Sequence, residues 1–456
     1  MCSIIILTLP PKSGFPMLTF LGQPGRFCDH VSRRSFLEVG AWTMGGLTLP
    51  GLMKAEAAAG TRSHKSVIVV YLSGGLAHQD TFDLKPNAPS EVRGEFKPIP
   101  TNVPGIQIGE LLPRLAQCTD KMAIIRSIVG LADEHSSWQN MVGVGMSTSQ
   151  REMRPHFGSV VARLEGPVDP LVPPFVDLFP TMQHKPYNSP HVGRLGRAAS
   201  AVKVDGDEVA VMKNLAVPAD RLEDRKGLLN TIDDIRRNAD GSSRSSDTFH
   251  AKAFDVLTTS KLVDALDVTK EPVSVRDRYG RGSTKHLGDG APMWNDQLLM
   301  ARRLVEAGAR VVTVAYGFWD THGANFRHLK EHLPLFDKGI SALIEDIYAR
   351  GLDKDVTVLV WGEFGRTPKI NKDAGRDHWS PVNGALFAGG GMKTGQVIGS
   401  TDSIAARAKD DPIPYPDVLA TVYHNLGINP HGMVYDVANR PNPVLPSTTQ
   451  VIAKLV

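Results

Sequence analysis

The stretch WDTHGANF, residues 319 to 326, places a carboxylate and an imidazole two positions apart, directly behind an apolar run. Asp320 and His322 are of the residue types that bind zinc and similar divalent ions. The run before them, ARVVTVAYG, is rich in β-branched residues and predicts a buried strand. The pair therefore stands at the end of a strand, which is where parallel sheets carry their ligand sites.

Three other apolar runs are followed by residues of the same chemical types. SVIVVYLSGG at 66–75 precedes AHQDTFD, which contains Asp80, and MAIIRSI at 122–128 precedes ADEHSSW. DVTVLVWG precedes GEFGRTPKINKDAGRDHW, in which the candidate residues are Glu363, Arg366, Arg376, Asp377 and His378. Because the carboxyl ends of parallel strands share one edge of a sheet, the four clusters predict a single polar cleft. Each cluster taken alone also fits helix caps and turns.

Such a cleft would suit the hydrolysis of an anionic ester by a bound divalent ion. The candidate metal ligands are Asp80, Asp320, His322, Glu363, Asp377 and His378. Zinc best matches carboxylates combined with imidazoles, and it would polarise an ester oxygen and activate water or a serine hydroxyl. Ser136 and Ser137 are the candidate nucleophiles, although their position before a helix favours a role as N-cap.

The remaining charged candidates would act on the substrate. Arg366 and Arg376 have planar donor groups that suit the anionic oxygens of an ester. Glu363 would serve as an acid or base if it is not a ligand.

Helices are predicted to alternate with the strands. NDQLLMARRLVEAGAR and LFDKGISALIEDIYARG each carry an apolar stripe of helical period and end at a glycine. The order helix, strand, helix, strand predicts parallel βαβ crossovers. With a further strand at 384–391 and a late helix at 417–426, the sequence predicts one α/β domain of three layers with a mainly parallel sheet. Residues 215–290 are polar and predict either a helical insertion or an ordinary surface excursion.

The composition is that of a globular protein. The 456 residues are 41% hydrophobic and 22% charged, and the formal net charge of +3 predicts no nucleic-acid partner. Arg33 and Arg34 precede a moderately apolar stretch that ends in small residues, which predicts a twin-arginine export signal over residues 1–59, with Met17 as an alternative start. The mature chain, 60–456, would then lie in the periplasm or outside the cell, without a stable membrane span.

The order of the motifs resembles the DUF1501 family of exported proteins, which is grouped by fold with the alkaline phosphatase and sulfatase superfamily. The resemblance covers about residues 25–450 and rests on RFCDHVSRRSFL, GGLAHQDTFDLKP, DTHGANF, WGEFGRTPKIN and GRDHW. It implies an alkaline-phosphatase-like fold and an anionic ester as substrate, either a small molecule or a polysaccharide. Carried over to this sequence, the superfamily's metal ligands match Asp320, His322 and His378.

The sequence departs from the superfamily pattern in two places. Phe364 stands where a second metal site has a histidine, and no aspartate follows the first strand until Asp80. The absence of a C-x-P-S-R string excludes the sulfatase route through a modified cysteine. The hypothesis is a metal-dependent hydrolase of phosphate or sulfate esters, and the alternative is a non-catalytic binding or cell-envelope protein on the same fold.

Overall fold

A computed structural model describes residues 64–204 and 260–456. The predicted export signal and the larger part of the predicted insertion lie outside these residues. The helices in the described ranges, numbered in chain order, are α1 Ser90–Arg93, α2 Pro113–Gln117, α3 Trp138–Val142, α4 Met146–Arg151, α5 Phe157–Glu165, α6 Ser260–Leu266, α7 Val273–Tyr279, α8 Asn295–Ala307, α9 Asn325–Ala349 and α10 Tyr415–Asn425. None of these helices is both long enough and apolar enough to cross a bilayer.

A nine-stranded sheet lies at the centre of the described part of the chain. Its strands are β1 Ser66–Leu72, β2 Met122–Val129, β3 Phe175–Asp177, β4 Val202–Lys203, β5 Val311–Ala315, β6 Val356–Gly362, β7 Asn383–Gly389, β8 Gln396–Ile398 and β9 Ile413–Pro414. The spatial order is β8-β2-β7-β6-β1-β5-β3-β4, and β9 also pairs with β2. Within this sheet only the two pairings of β7 are antiparallel among the described strands, so the sheet is mainly parallel.

Both faces of the sheet are covered, which is what the unbroken apolar strands predict. β1 and β6 are buried over their whole lengths. Ile68 and Val70 join an apolar cluster with residues of α8 and α9, while Val67 and Val69 join a second cluster with residues of α5 and α10. Side chains of a strand alternate between faces, so helices cover both sides of the sheet. The predicted α/β class with a mainly parallel sheet is confirmed.

The direction of the strands determines where the polar loops meet. β1 runs parallel to both β5 and β6. β2 is antiparallel to β7, which is antiparallel to β6, so β2 runs in the same direction as β6. The loops that follow β1, β2, β5 and β6 therefore leave the same edge of the sheet.

Helix α9 begins closer to this edge than its apolar stripe predicts. It starts at Asn325, ahead of the predicted stripe, and continues through Pro334. Ala324, at its N-cap, takes a left-handed backbone conformation with φ of 49°. The loop that carries Asp320 and His322 is consequently short and fixed at both ends, by β5 and by α9.

Asp177, the last residue of β3, should make stability fall with rising pH. Burial raises its pKa to about 6, although Thr313 Oγ1 donates to its Oδ1 at 2.8 Å. The unfolded chain loses this proton near pH 4. The free energy of unfolding therefore falls between about pH 4 and 6 and stays lower by a constant amount above that range. The shift corresponds to about 3 kcal/mol.

We expect Asp177→Asn to remove this pH-dependent part of the free energy of unfolding, as measured by urea denaturation from pH 4 to 7. Asp277, which is exposed and pairs with Arg281, provides a matched control. Asp277→Asn should leave the slope of the unfolding free energy against pH unchanged. Equal slopes for wild type and Asp177→Asn would show that Asp177 is ionised in the fold at no cost.

Candidate metal centre

Four side chains from three separate parts of the chain meet at the carboxyl edge of the sheet. His135 follows β2, Asp320 and His322 follow β5, and His378 lies in a short ladder with Arg366. We call His135, Asp320, His322 and His378 the four-donor group, because one nitrogen or oxygen of each lies within 4.8 Å of the others. Asp320 is central to the group, and its carboxylate oxygens lie 3.3, 3.0 and 3.6 Å from Nε2 of His135, His322 and His378.

A further carboxylate stands behind each imidazole. Nδ1 of His135 is 3.1 Å from Glu363, Nδ1 of His322 is 2.7 Å from Asp377, and Nδ1 of His378 is 3.0 Å from Asp133. An Nδ1–H group that donates to a carboxylate leaves the lone pair of Nε2 free to point at the centre. This carboxylate–histidine arrangement is typical of histidines that bind a metal ion.

The spacing of the donors fits one divalent ion. Nε2 of His322 and Nε2 of His378 are 2.9 Å apart, and with both protons on Nδ1 neither nitrogen has a hydrogen to share. Two lone pairs at this distance repel each other unless a cation lies between them. Tetrahedral ligands at 2.0–2.1 Å from zinc are about 3.3 Å apart. The distances from Asp320 to the three imidazole nitrogens and the one between His322 and His378 are 2.9–3.6 Å, and all four donors lie within 4.8 Å of one another.

The charges around the group also favour a cation. Burial lowers the pKa of His135, but its contacts with Asp320 and Glu363 outweigh burial and raise that pKa to about 9. Burial raises the pKa of Asp320, yet His135, His378 and Arg366 hold it well below its ordinary value. A metal ion would replace the proton that His135 otherwise holds, so binding should release protons.

Phe364 occupies the position where a second metal ligand is expected from the superfamily pattern. Its side chain is fully buried, and its ring centre lies 4.5 Å from that of His378 and 5.0 Å from that of His135. The ring packs against the imidazoles of His135 and His378 and contributes no donor atom. The described residues therefore provide one group of metal donors at this edge of the sheet.

A tight turn after β1 brings the loops together. Gly74 has φ of 100°, and a Cβ atom there would lie 2.4 Å from the backbone nitrogen of Asp320. Its own N–H donates to Glu363 Oε1 at 2.8 Å. Only glycine fits this close approach, which fixes Asp320 relative to the carboxylate behind His135.

The structure brings together three of the predicted metal ligands, Asp320, His322 and His378. Glu363 and Asp377 are outside the group and instead contact the Nδ1 atoms of His135 and His322. Asp80 is not in the group, since both of its oxygens accept hydrogen bonds from the buried Arg376 and one also accepts from Asn325.

The two predicted substrate-binding arginines are fully buried and face inward. Arg376 uses all five N–H groups, on Asp80 and on the carbonyls of Val92, Thr367 and Pro368. Arg366 donates to Asp320 at 2.5 Å, to the carbonyl of Arg376, and to the carbonyls of Gly74 and Gly75. Arg366 thus positions a donor of the group, whereas Arg376 has no N–H left for an ester.

The predicted nucleophiles are engaged in local structure. Ser137 is buried, and its hydroxyl donates to the carbonyl of Asn188 at 2.8 Å. Ser136 is buried too, and its Oγ accepts from the N–H of Trp138 at 3.2 Å, at the start of α3. Ser136 thus contacts the helix start, which is the alternative that the sequence left open, whereas Ser137 stands at the N-cap without a capping hydrogen bond from its side chain.

Sequence reasoning missed His135 and Asp133 as functional residues. Both lie in ADEHSSW, one of the four strand-end clusters, in which only the two serines are predicted to act. The available signal was that His135 is the only imidazole between β2 and α3. A histidine that follows a strand at the same sheet edge as the DTHG segment is therefore a candidate metal ligand.

Residues 64–456 match the family described as "Protein of unknown function (DUF1501)". None of the curated proteins searched matches the chain. Among solved structures, the chain resembles the lipoteichoic acid synthase LtaP from Listeria monocytogenes at 10% identity and a TM-score of 0.38, over 80% of this chain and 73% of that one.

Two hydrolases are also among the similar structures. The PsFucS1 sulfatase from Pseudoalteromonas sp. matches at 10% identity and a TM-score of 0.33, over 83% of this chain and 70% of that one. The phosphonate monoester hydrolase SpPMH from Silicibacter pomeroyi matches at 10% identity and a TM-score of 0.33, over 85% and 78%. These are likenesses to the chain and assign it no activity.

Proposed function

This chain belongs to the DUF1501 family, and on that premise we propose that it is a metal-dependent hydrolase of phosphate or sulfate esters. The observation that carries the proposal is the convergence of three imidazole Nε2 atoms on Asp320, each imidazole being held from behind by a carboxylate. Zinc is the proposed ion, because three nitrogens and one oxygen at these spacings suit it.

The residues would hold and orient the ion while leaving one side accessible. A divalent ion in the group would supply a Lewis acid that polarises the ester and activates water. The side chain of His322 is 45% exposed and that of His135 only 18%, so solvent and substrate reach the group from the His322 side. Asp133 and Asp377, each more than half exposed, stand at the rim, where they hold the imidazoles and can exchange protons with water.

Water is the proposed nucleophile. Ser137 already donates to Asn188, and Ser136 lies at the helix start with its oxygen turned to Trp138. With Arg376 fully engaged, the ion itself would be the main positive charge that attracts an anionic ester. The substrate class is accordingly a phosphate or sulfate monoester of a small molecule or a polysaccharide.

One observation favours a second candidate function, a non-catalytic binding or envelope protein. The four-donor group provides four protein ligands, which is the number that closes a tetrahedral structural zinc site. A catalytic site keeps a position open, so hydrolysis requires the ion to accept a fifth ligand or one of the four donors to leave. Turnover by the metal-loaded chain separates the two functions.

The test is metal content and turnover of the full chain with p-nitrophenyl phosphate and p-nitrophenyl sulfate, before and after chelation. We expect an ion that survives dialysis, turnover of one ester, loss of that turnover on chelation and recovery with Zn²⁺. Asp377→Asn should weaken metal affinity about 10- to 100-fold, since it removes the charge behind His322. Asp277→Asn removes a similarly exposed carboxylate elsewhere and should change neither quantity.

Each result assigns one of the functions. A tightly bound ion with no turnover of either ester would reject the hydrolase and support the binding protein. A chain that retains no ion, in wild type and Asp377→Asn alike, would reject both uses of the four-donor group.

Export by the twin-arginine pathway to the periplasm or the extracellular space remains part of the proposal. Its basis is the Arg33–Arg34 segment, which lies outside the described residues. Fractionation of cells that express the full chain is the measurement, and retention of the chain in the cytoplasm would contradict it.

A further inference from the structure

A second cluster of metal-binding residue types lies on helix α9, away from the four-donor group. His328, Glu331 and His332 each offer one donor atom, and these atoms lie within 4.8 Å of one another. Their spacing of three and four residues puts all three on one face of the helix. The ring centres of His328 and His332 are 5.8 Å apart.

The interactions of these side chains leave donor atoms free. Nδ1 of His332 is buried and has no hydrogen-bond partner among the described residues. Leaving such a buried atom without a partner destabilises the fold unless something binds to it. Glu331 is exposed and takes part in none of the ion pairs of the described residues, whereas its neighbour Lys330 pairs with Glu95 at 2.5 Å.

We propose that His328, Glu331 and His332 form a second binding site for a divalent transition metal ion, separate from the four-donor group. Two imidazoles and one carboxylate are a donor set for zinc, and with three protein ligands a tetrahedral ion keeps one open position. Imidazole ligands argue against Ca²⁺ and Mg²⁺, which prefer oxygen. The proposal does not depend on the proposed hydrolase function.

The second site should bind its ion more weakly than the first. It has three donors against four, and none of the hydrogen bonds in the described residues places a carboxylate behind His328 or His332. His328 is six positions after His322, so the Cα atoms of these two residues lie within about 22 Å of each other. Trp319, which precedes Asp320, packs edge-on against the ring of His332, with ring centres 6.1 Å apart, and so connects the two sites.

The test is a titration of the metal-free full chain with Co²⁺, followed by visible absorption and by equilibrium dialysis. Wild type should bind two ions in two steps of different affinity. His328→Ala/His332→Ala should lose the weaker step and keep the tighter one, and Asp320→Ala/His378→Ala should do the reverse. His424→Ala/His431→Ala, which removes two exposed histidines elsewhere, should retain both steps.

A milder variant covers the case in which the double alanine variant fails to fold. Glu331→Gln keeps the size of an exposed side chain, and it should raise the dissociation constant of the weaker step at least about 10-fold. Unchanged binding in Glu331→Gln and in His328→Ala/His332→Ala would overturn the second site. Failure of the proposed hydrolase would show in turnover or in the tighter step, and it would leave the weaker step intact.

Discussion

The Gly375→Ala variant should lose metal binding at the four-donor group and at least about 100-fold in ester turnover. A Cβ atom at Gly375 would lie 1.9 Å from the carbonyl oxygen of His322 and 2.1 Å from its carbonyl carbon. Both are backbone atoms, so the clash cannot be relieved by a rotamer change. The His322 segment must move, and displacement by about 1 Å suffices to break the convergence of the donors.

Gly323 provides a matched control for this variant, because it is the residue next to His322. A Cβ atom there would meet only Asp373, at 3.8 Å or more, which is ordinary van der Waals contact. Gly323→Ala should therefore retain the ion and most of the turnover. Metal content by mass spectrometry and turnover of p-nitrophenyl esters are the measurements, and equal behaviour of the two variants would contradict the steric argument.

The Arg376→Met variant should lower the free energy of unfolding by about 3–5 kcal/mol. Arg376 and Asp80 form an ion pair at 2.7 Å in which both side chains are fully buried. Without the guanidinium, the Asp80 charge keeps, among the described side chains, only the hydrogen bond from Asn325 at 2.8 Å, and three backbone carbonyls lose their donor. An uncompensated buried charge is costly, which is the main source of the loss.

A double variant distinguishes a lost charge partner from lost packing. Asp80→Asn/Arg376→Met removes both charges, and it should be at least about 1 kcal/mol more stable than Arg376→Met alone. Arg281→Met breaks the exposed pair with Asp277 and should change stability by no more than about 0.5 kcal/mol. Urea denaturation measures all three, and a loss below about 1 kcal/mol in Arg376→Met would contradict the expectation.

The sheet could be predicted from sequence because burial on both faces leaves a strong signal. The β-branched runs of β1 and β6 are fully buried strands, and Gly308 closes α8 in a left-handed conformation, as its position after the apolar stripe predicts. The direction of β7 was not predictable in this way. A buried strand shows the same apolar run whether it pairs parallel or antiparallel, so the reversal at 383–389 is visible only in the pairing.

The site was predictable as a location but not as a set of contacts. The convergence of strand ends follows from the topology of parallel sheets, and it placed Asp320, His322 and His378 in one region. Which way a loop side chain points is decided by the loops around it. Arg376 turns to Asp80 and His135 turns to Asp320 because of tertiary contacts that no periodicity encodes.

An ion in the four-donor group would act on the whole fold as a reversible cross-link. His135, Asp320 and His378 belong to segments that are far apart in the chain, and the one cysteine of the described residues, Cys118, is a buried free thiol that forms no disulfide. The unfolded chain would have to close the long loops between these segments to assemble the donor set, so the ion would bind the folded state in preference. The gain would grow with free metal, to about 2.7 kcal/mol at 100 times the dissociation constant, so the stability of this protein would report the metal supply around it.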